Sequence, residues 1–281
     1  MMITCYYMRG KIQCLTKRIA YSILALIISS MIVSCGNDEP SSNIVDLTNA
    51  KETNNGYYDG LLYYKLISYS EAKITKCNPE AIEVDIPEKV ALNGKQYSIS
   101  TIDNKAFYNH KELTKVIIPN SVTSIGTEAF SECDKLTIVK MSEGVISIGD
   151  LAFYECHALI NVNIPNSVTS IGVGSFSDCD GLTNVSLGKS VTTIGIGAFL
   201  NCYNLTNVTL PSSVTSIGAW TFGYCSNLSS ITCMAIKPPI IIDDEGRISN
   251  KIINKLLVPK SSVEAYKSSS WNEAFLEIVG I

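Results

Sequence analysis

"PNSVTSIG" occupies residues 119–126 and returns unchanged at 165–172; at 211–218 it reads "PSSVTSIG". Each return is 46 residues on, but the true period is half of that, because the intervening units read "MSEGVISIG" and "LGKSVTTIG". Phe stands at 107, 130, 153, 176, 199 and 222, always 23 residues apart. Ile keeps the step at 102, 125, 148, 171, 194 and 217, and Leu at 113, 136, 159, 182, 205 and 228. Val follows at 116, 139, 162, 185 and 208, with Ile231 closing the series. Cys recurs at 133, 156, 179, 202 and 225, and His110 takes that place one step earlier. A fixed period of about 20–30 residues is the signature of a solenoid, one unit per coil, with equivalent side chains stacked in rows.

One coil, "LTKVIIPNSVTSIGTEAFSECDK" at 113–135, predicts its own path. Val116 and Ile118 alternate with Ile117, the period-2 pattern of a strand with one buried face. Pro119 has no amide hydrogen to donate and stops the ladder. A second extended stretch, "SVTSI", turns Val122 and Ile125 inward. Gly126 follows, with Gly again at 149, 172, 195 and 218 and Asp103 at the first. Both types tolerate positive φ, so a tight bend is expected there. "TEAFSEC" is helix-permissive for a turn or two, with Phe130 and Cys133 on its inner side.

These residues, Pro-x-Ser-Val-x-x-Ile-Gly-x-x-Ala-Phe-x-x-Cys-x-x-Leu-x-x-Val-x-Leu/Ile over about residues 99–233, resemble the BspA-type leucine-rich repeat surface proteins. The resemblance implies a right-handed solenoid with two narrow sheets and short helical turns, cell-surface display and, for some members, adhesion to host proteins or other bacteria. The fold class expected is mainly β, about six coils of 23 residues, with an N-terminal β cap at 56–98, repeats at 99–233 and a C-terminal cap at 234–281. Asn93-Gly94 marks a hairpin turn in the first cap. Ser261 with Glu264 reads as a capping box for a short helix in the second, which also looks like the end cap common in that family.

The chain has 281 residues, is 46% apolar and 17% charged, and carries a formal charge of −4. Its first 34 residues hold Arg9, Lys11, Lys17 and Arg18 and no acid, so the remainder stands at −8. A nucleic-acid partner is not expected, since binding phosphates needs a basic surface. The apolar run 19–33 is shorter than the roughly 20 residues of a membrane-spanning helix, which suits a secretory signal over 1–34. Ser34 directly before Cys35 resembles the lipobox of bacterial lipoproteins, which implies cleavage and lipidation at Cys35. An uncleaved anchor is the other reading, and Met8 is an alternative start. Residues 35–55 read as a flexible lipid-anchored tether, and the acids Asp38 and Glu39 resemble an export signal for the outer leaflet of the outer membrane.

For chemistry, the Cys column is the loudest feature. A secreted chain invites disulfides, whereas the inward spacing after Phe suits buried thiols acting as small apolar groups; disulfides and metal remain alternatives. Catalysis has little foothold: two His in all, His110 and His157, no nucleophile elbow, no His-Glu-x-x-His and no phosphate-cradling loop. No cofactor and no enzyme activity are expected.

Binding is what remains. The sheet positions are nearly uniform: Thr123, Thr169, Thr192 and Thr215 in one row, and Asn161, Asn163, Asn184 and Asn207 on the first sheet, with Lys115 and Lys140 near one end. Variation gathers instead on the turns flanking Phe and Cys, which hold Tyr108, Tyr154, Tyr203, Trp220 and Tyr224. Exposed aromatics are good interface anchors and also suit sugar faces. The expected role is a surface lipoprotein that binds an extracellular protein. The alternatives are a glycan-binding accessory protein of a nutrient-uptake system and a passive spacer.

Overall fold

In the computed structural model, which describes residues 44–242 and 247–281, the 23-residue step becomes strand register. Short strands pair in parallel one coil apart, Ser124–Ile125 with Ser147–Ile148, then Ser170–Ile171, Thr193–Ile194 and Ser216–Gly218. The long strands do the same: Lys115–Ile118 pairs with Ile138–Met141, and Asn161–Asn163 with Asn184–Ser186 and then Asn207–Leu210. The alternation read from 115–118 is present, with Val116 and Ile118 buried.

Between the sheets lie the stacked columns. The six Phe rings are fully buried and overlie one another, neighbouring centroids 4.6 to 5.9 Å apart. All seven cysteines among the described residues are buried and free. Each thiol of the column donates to the carbonyl of the Phe in the preceding coil, as Cys133 does to Phe107 and Cys179 to Phe153, at 3.1–3.2 Å. Burial pushes Cys133, Cys179 and Cys225 up to about 12 and holds Cys156 and Cys202 well above the ordinary thiol value. A thiol so placed has almost no thiolate and is inert.

Two local readings change. The turns around Phe are not helical. Glu128 and Glu132 sit at φ 54° and 60°, and their counterparts in every coil share the left-handed conformation. That conformation aims backbone amides at the next coil: the N–H groups of residues 128, 130 and 132 donate to the carbonyls of 150, 152 and 154 at 2.7–2.9 Å. The pattern repeats in all six coils, the last bond going to the Asn250 side chain, and makes a third ladder beside the short-strand and long-strand faces. Secondly, Gly126, Gly149, Gly172 and Gly195 have no positive φ; their column is glycine because coils touch there. A Cβ on Gly172 would lie 2.5 Å from the Gly149 carbonyl carbon, and one on Gly195 equally close to Gly172. Asp103 is allowed at the first position because its neighbour is the cap strand Glu71–Cys77, where it meets Lys73 at 2.6 Å.

The caps differ from expectation in extent. Ile44–Asp46 pairs with Lys89–Leu92 and Leu47 is fully buried, so the folded part begins inside the stretch read as a tether. Lys51–Thr53 then forms a hairpin with Gly56–Tyr58. Cys35 and the rest of the leader lie outside the described residues. Asn93-Gly94, both at positive φ, turns the hairpin of Lys89–Leu92 and Lys95–Ile102 as read. At the other end Pro259 opens a 3₁₀ turn, Lys260–Ser262, that runs directly into the helix Val263–Lys267. The helix therefore starts from Ser262, which makes no side-chain cap bond, and no Ser261–Glu264 box forms. Tyr266 and Trp271 close the core there, edge to face at 5.7 Å, with the Trp271 indole donating to Pro239 at 2.8 Å.

Candidate functional site

The turn edge is organised by two left-handed columns four residues apart. One runs Lys105, Glu128, Leu151, Gly174, Gly197, Trp220; the other runs Asn109, Glu132, Glu155, Asp178, Asn201, Tyr224. Side chains leave both columns sideways from the rod, so their identity is free of the packing that fixes Phe and Cys.

Its first half is charged and already paired. Lys105 meets Glu128 at 3.2 Å, the Tyr108 hydroxyl donates to Glu132 at 2.6 Å, and Lys111 meets Asp134 at 3.0 Å. The bond to Glu132 is the main reason the Tyr108 hydroxyl is raised above its ordinary value. Tyr154 is half-buried, and its hydroxyl is pushed up to about 12 by the neighbouring Glu155 carboxylate and by burial.

Its second half is apolar and open. Where Gly174 and Gly197 follow Leu151, two consecutive coils have no side chain in the column, and the gap ends at the Trp220 indole. The result is a groove of about 380 Å³. Gly174 and Gly197 form its floor, and Leu151 and Trp220 its end walls. Val173 and Ile196 line one flank, and Leu200 and Tyr224 the other. Val173 is 44% exposed and Tyr224 53%, so the groove presents apolar surface directly to solvent. Across three coil steps, the two walls stand roughly 14 Å apart along the backbone. The backbone of Trp220 is held by Arg247 and that of Tyr224 by the Asn250 side chain, so both rings stand on a fixed base.

The five aromatics read from the sequence therefore separate. Trp220 and Tyr224 come together in the groove; Tyr108 and Tyr154 sit in the paired half and just beside it; Tyr203 lies in the column of His157 and Asp180, which meet at 3.3 Å. Leu151, Val173, Ile196 and Leu200 went unread. The signal for Leu151 was the change within one column from Lys and Glu to Leu, Gly, Gly and Trp, and that for Val173 and Ile196 the change one place earlier from Asn104, Thr127 and Asp150 to Val and Ile.

The sheet faces offer less. Thr123, Thr169, Thr192 and Thr215 each donate their hydroxyl to a carbonyl of the preceding coil, and the Asn184 amide donates to Asn161 at 3.0 Å. Those groups are occupied within the ladder. Among the described residues no set of three metal-ligating side chains converges, and no helix is long and apolar enough to cross a membrane.

Residues 100–233 match the BspA type Leucine rich repeat region in six copies. The chain belongs to the BspA-type leucine-rich repeat family. Similar solved structures are leucine-rich repeat proteins of bacteria. One from Bacteroides capillosus is 33% identical, with 47% of this chain and 98% of that one covered and a TM-score of 0.44. One from T. pallidum is 28% identical, covering 72% and 86%, with a TM-score of 0.58. A leucine rich cell surface protein from Faecalibacterium prausnitzii is 21% identical over 80% and 95%, TM-score 0.42. No curated protein matches the chain. The family and its solenoid are typically non-catalytic binding scaffolds.

Proposed function

We propose that this protein is a non-catalytic cell-surface lipoprotein, anchored to the outer membrane through Cys35, whose solenoid binds an extracellular protein as an adhesion module. One observation carries the reading: the turn edge holds an open apolar groove with Trp220 and Tyr224 on rigid backbone, while the threonine row and Asn184 of the sheet faces are bonded to neighbouring coils. Apolar surface of that kind, rimmed by polar residues, is what partner contacts use.

Two experiments test it. Protease shaving of intact cells should release the repeat domain; a domain protected until lysis contradicts surface display. On an array of extracellular proteins, the Tyr154→Ser/Trp220→Ser double variant should lose the binding of the wild type, with Asn184→Lys on the sheet face unaffected. Binding that survives the double variant and disappears with the sheet change would refute the turn-edge reading.

A further inference from the structure

We infer that the groove over Gly197 is a slot for one large apolar side chain of a protein partner, presented between basic residues. This rests on the turn-edge reading and names the chemistry of its occupant. The argument begins with shape. Leu151 leans over Gly174, its Cδ2 2.7 Å from where a Cβ would stand, so the wall on that side is closed. Over Gly197 an added Cβ would meet the Leu200 side chain alone, at ordinary contact distances of 3.5 and 3.7 Å. The opening is thus centred on Gly197 and bounded by Trp220, about the width of one aromatic or branched aliphatic group.

Polarity then selects between a protein and a sugar. Ser177 is the groove's only Ser, Thr, Asn or acidic lining residue, it is buried, and its hydroxyl donates to Asp178 at 2.6 Å. Asp178 also accepts from Asn201 at 2.7 Å. The Trp220 indole N–H and the Tyr224 hydroxyl are what the lining has left to offer. A sugar ring carries several hydroxyls, and burying them against Val173, Ile196 and Leu200 leaves them unpaired, which disfavours binding. An apolar side chain has no such demand.

Charge supplies the flanks. Asp150 precedes Leu151, its carboxylate fixed by the Val173 amide at 2.8 Å, and Glu155 and Asp178 precede Asn201 and Tyr224 in the second left-handed column, on the Tyr224 side. The cations of that end, Arg247 and Lys251, lie beyond Trp220, and Lys251 is held by the Ser226 carbonyl. The slot is therefore bordered by three carboxylates, and residues on either side of the inserted group are favoured when they are Lys or Arg.

The test uses the folded protein and a phage-displayed library of random dodecapeptides, with counter-selection against Gly197→Leu. That variant fills the slot, and the column already accepts Leu at positive φ, as Leu151 shows at 53°. Trp220→Ser is the second variant, should Gly197→Leu melt early. Enriched peptides are expected to share one Phe, Leu or Trp flanked by Lys or Arg. A synthetic peptide of that consensus should bind either variant at least tenfold more weakly, and more weakly again as salt is raised. In the wild type and Gly197→Leu, Trp220 reports the event, since the other Trp of the chain, Trp271, is fully buried and serves as a constant background; binding to Trp220→Ser is read by calorimetry. Enrichment without basic flanks, binding to both variants as tight as to the wild type, or no enrichment overturns the inference. So does a shift of Trp220 emission by oligosaccharides alone, or a wild-type dimer that Gly197→Leu dissociates; those results leave the turn edge as a binding face. Loss of array binding in the Tyr154→Ser/Trp220→Ser variant, without any peptide consensus, would remove this inference and keep the proposed function.

Discussion

Residues 172–179, "GVGSFSDC", carry two populations of side chain on one short turn. Gly172, Phe176 and Cys179 face the neighbouring coils and have the same identity in nearly every repeat; Val173, Gly174, Ser177 and Asp178 lie on the outer side of the turn, Gly174 and Ser177 beneath neighbouring side chains, and change from coil to coil. The contrast is one of neighbours. An inward group touches the same group above and below, so any change is felt twice. An outward group touches solvent and one or two flexible chains, so the backbone tolerates Lys, Glu, Leu, Gly or Trp in one place. What the outward column says is therefore available for partners.

The sharpest way to break this contrast is Phe176→Ala, which leaves a hole in the middle of the ring stack and should cost about 3–5 kcal/mol in urea or thermal unfolding. An unchanged melting temperature would mean the rings do not bear on one another. Next comes a pair within the same turn. Gly172→Ala drives a Cβ into the Gly149 backbone and should cost about 3 kcal/mol. Gly174→Ala meets the movable Leu151 side chain at φ +56° and should cost about 1 kcal/mol. Equal losses for the two would erase the distinction between inward and outward positions.

A last effect is pH-dependent. Cys133, Cys179 and Cys225 have folded values of about 12, above their unfolded ones, so the native state holds their protons longer. Their contribution is whole below about pH 8.5 and is lost as pH climbs toward the folded value, at about 1 kcal/mol per pH unit for each thiol. Urea unfolding at rising pH should show this slope, shallower by one thiol's share in Cys179→Ala. Identical slopes would show that the column titrates the same folded and unfolded.

How much of this was written in the sequence follows the same division. The 23-residue register, the alternation of Val116 and Ile118 and the Asn93-Gly94 hairpin were legible because each depends on contacts that repeat or on a local backbone preference. The reason for Gly172 was not, since a bend and a close approach both select glycine and only the neighbouring coil separates them. "TEAFSEC" looked helix-permissive because its propensities are local, whereas its conformation is set by amides bonding to the next coil. Ile44–Asp46 looked like tether because three residues carry little pattern until Lys89–Leu92 lies beside them. The aromatics Trp220 and Tyr224 were found by type; the groove they share came from what is missing at Gly174 and Gly197, and an absence has no hydrophobic pattern.

The third ladder gives the rod an electrical direction. Three peptide groups in each coil point their N–H toward the C-terminal cap and their C=O toward the N-terminal cap, and in each file they stand head to tail through all six coils. Sheet peptides alternate and largely cancel, but these add, as they do in a helix, where aligned peptides leave about half a unit charge at each end. The positive pole falls at Trp220, Phe222 and Tyr224, where Arg247, Ile248 and Asn250 receive the last amides. A chain cut before residue 247 would end in three bare donors, so the C-terminal cap insulates the terminal pole as well as covering the core.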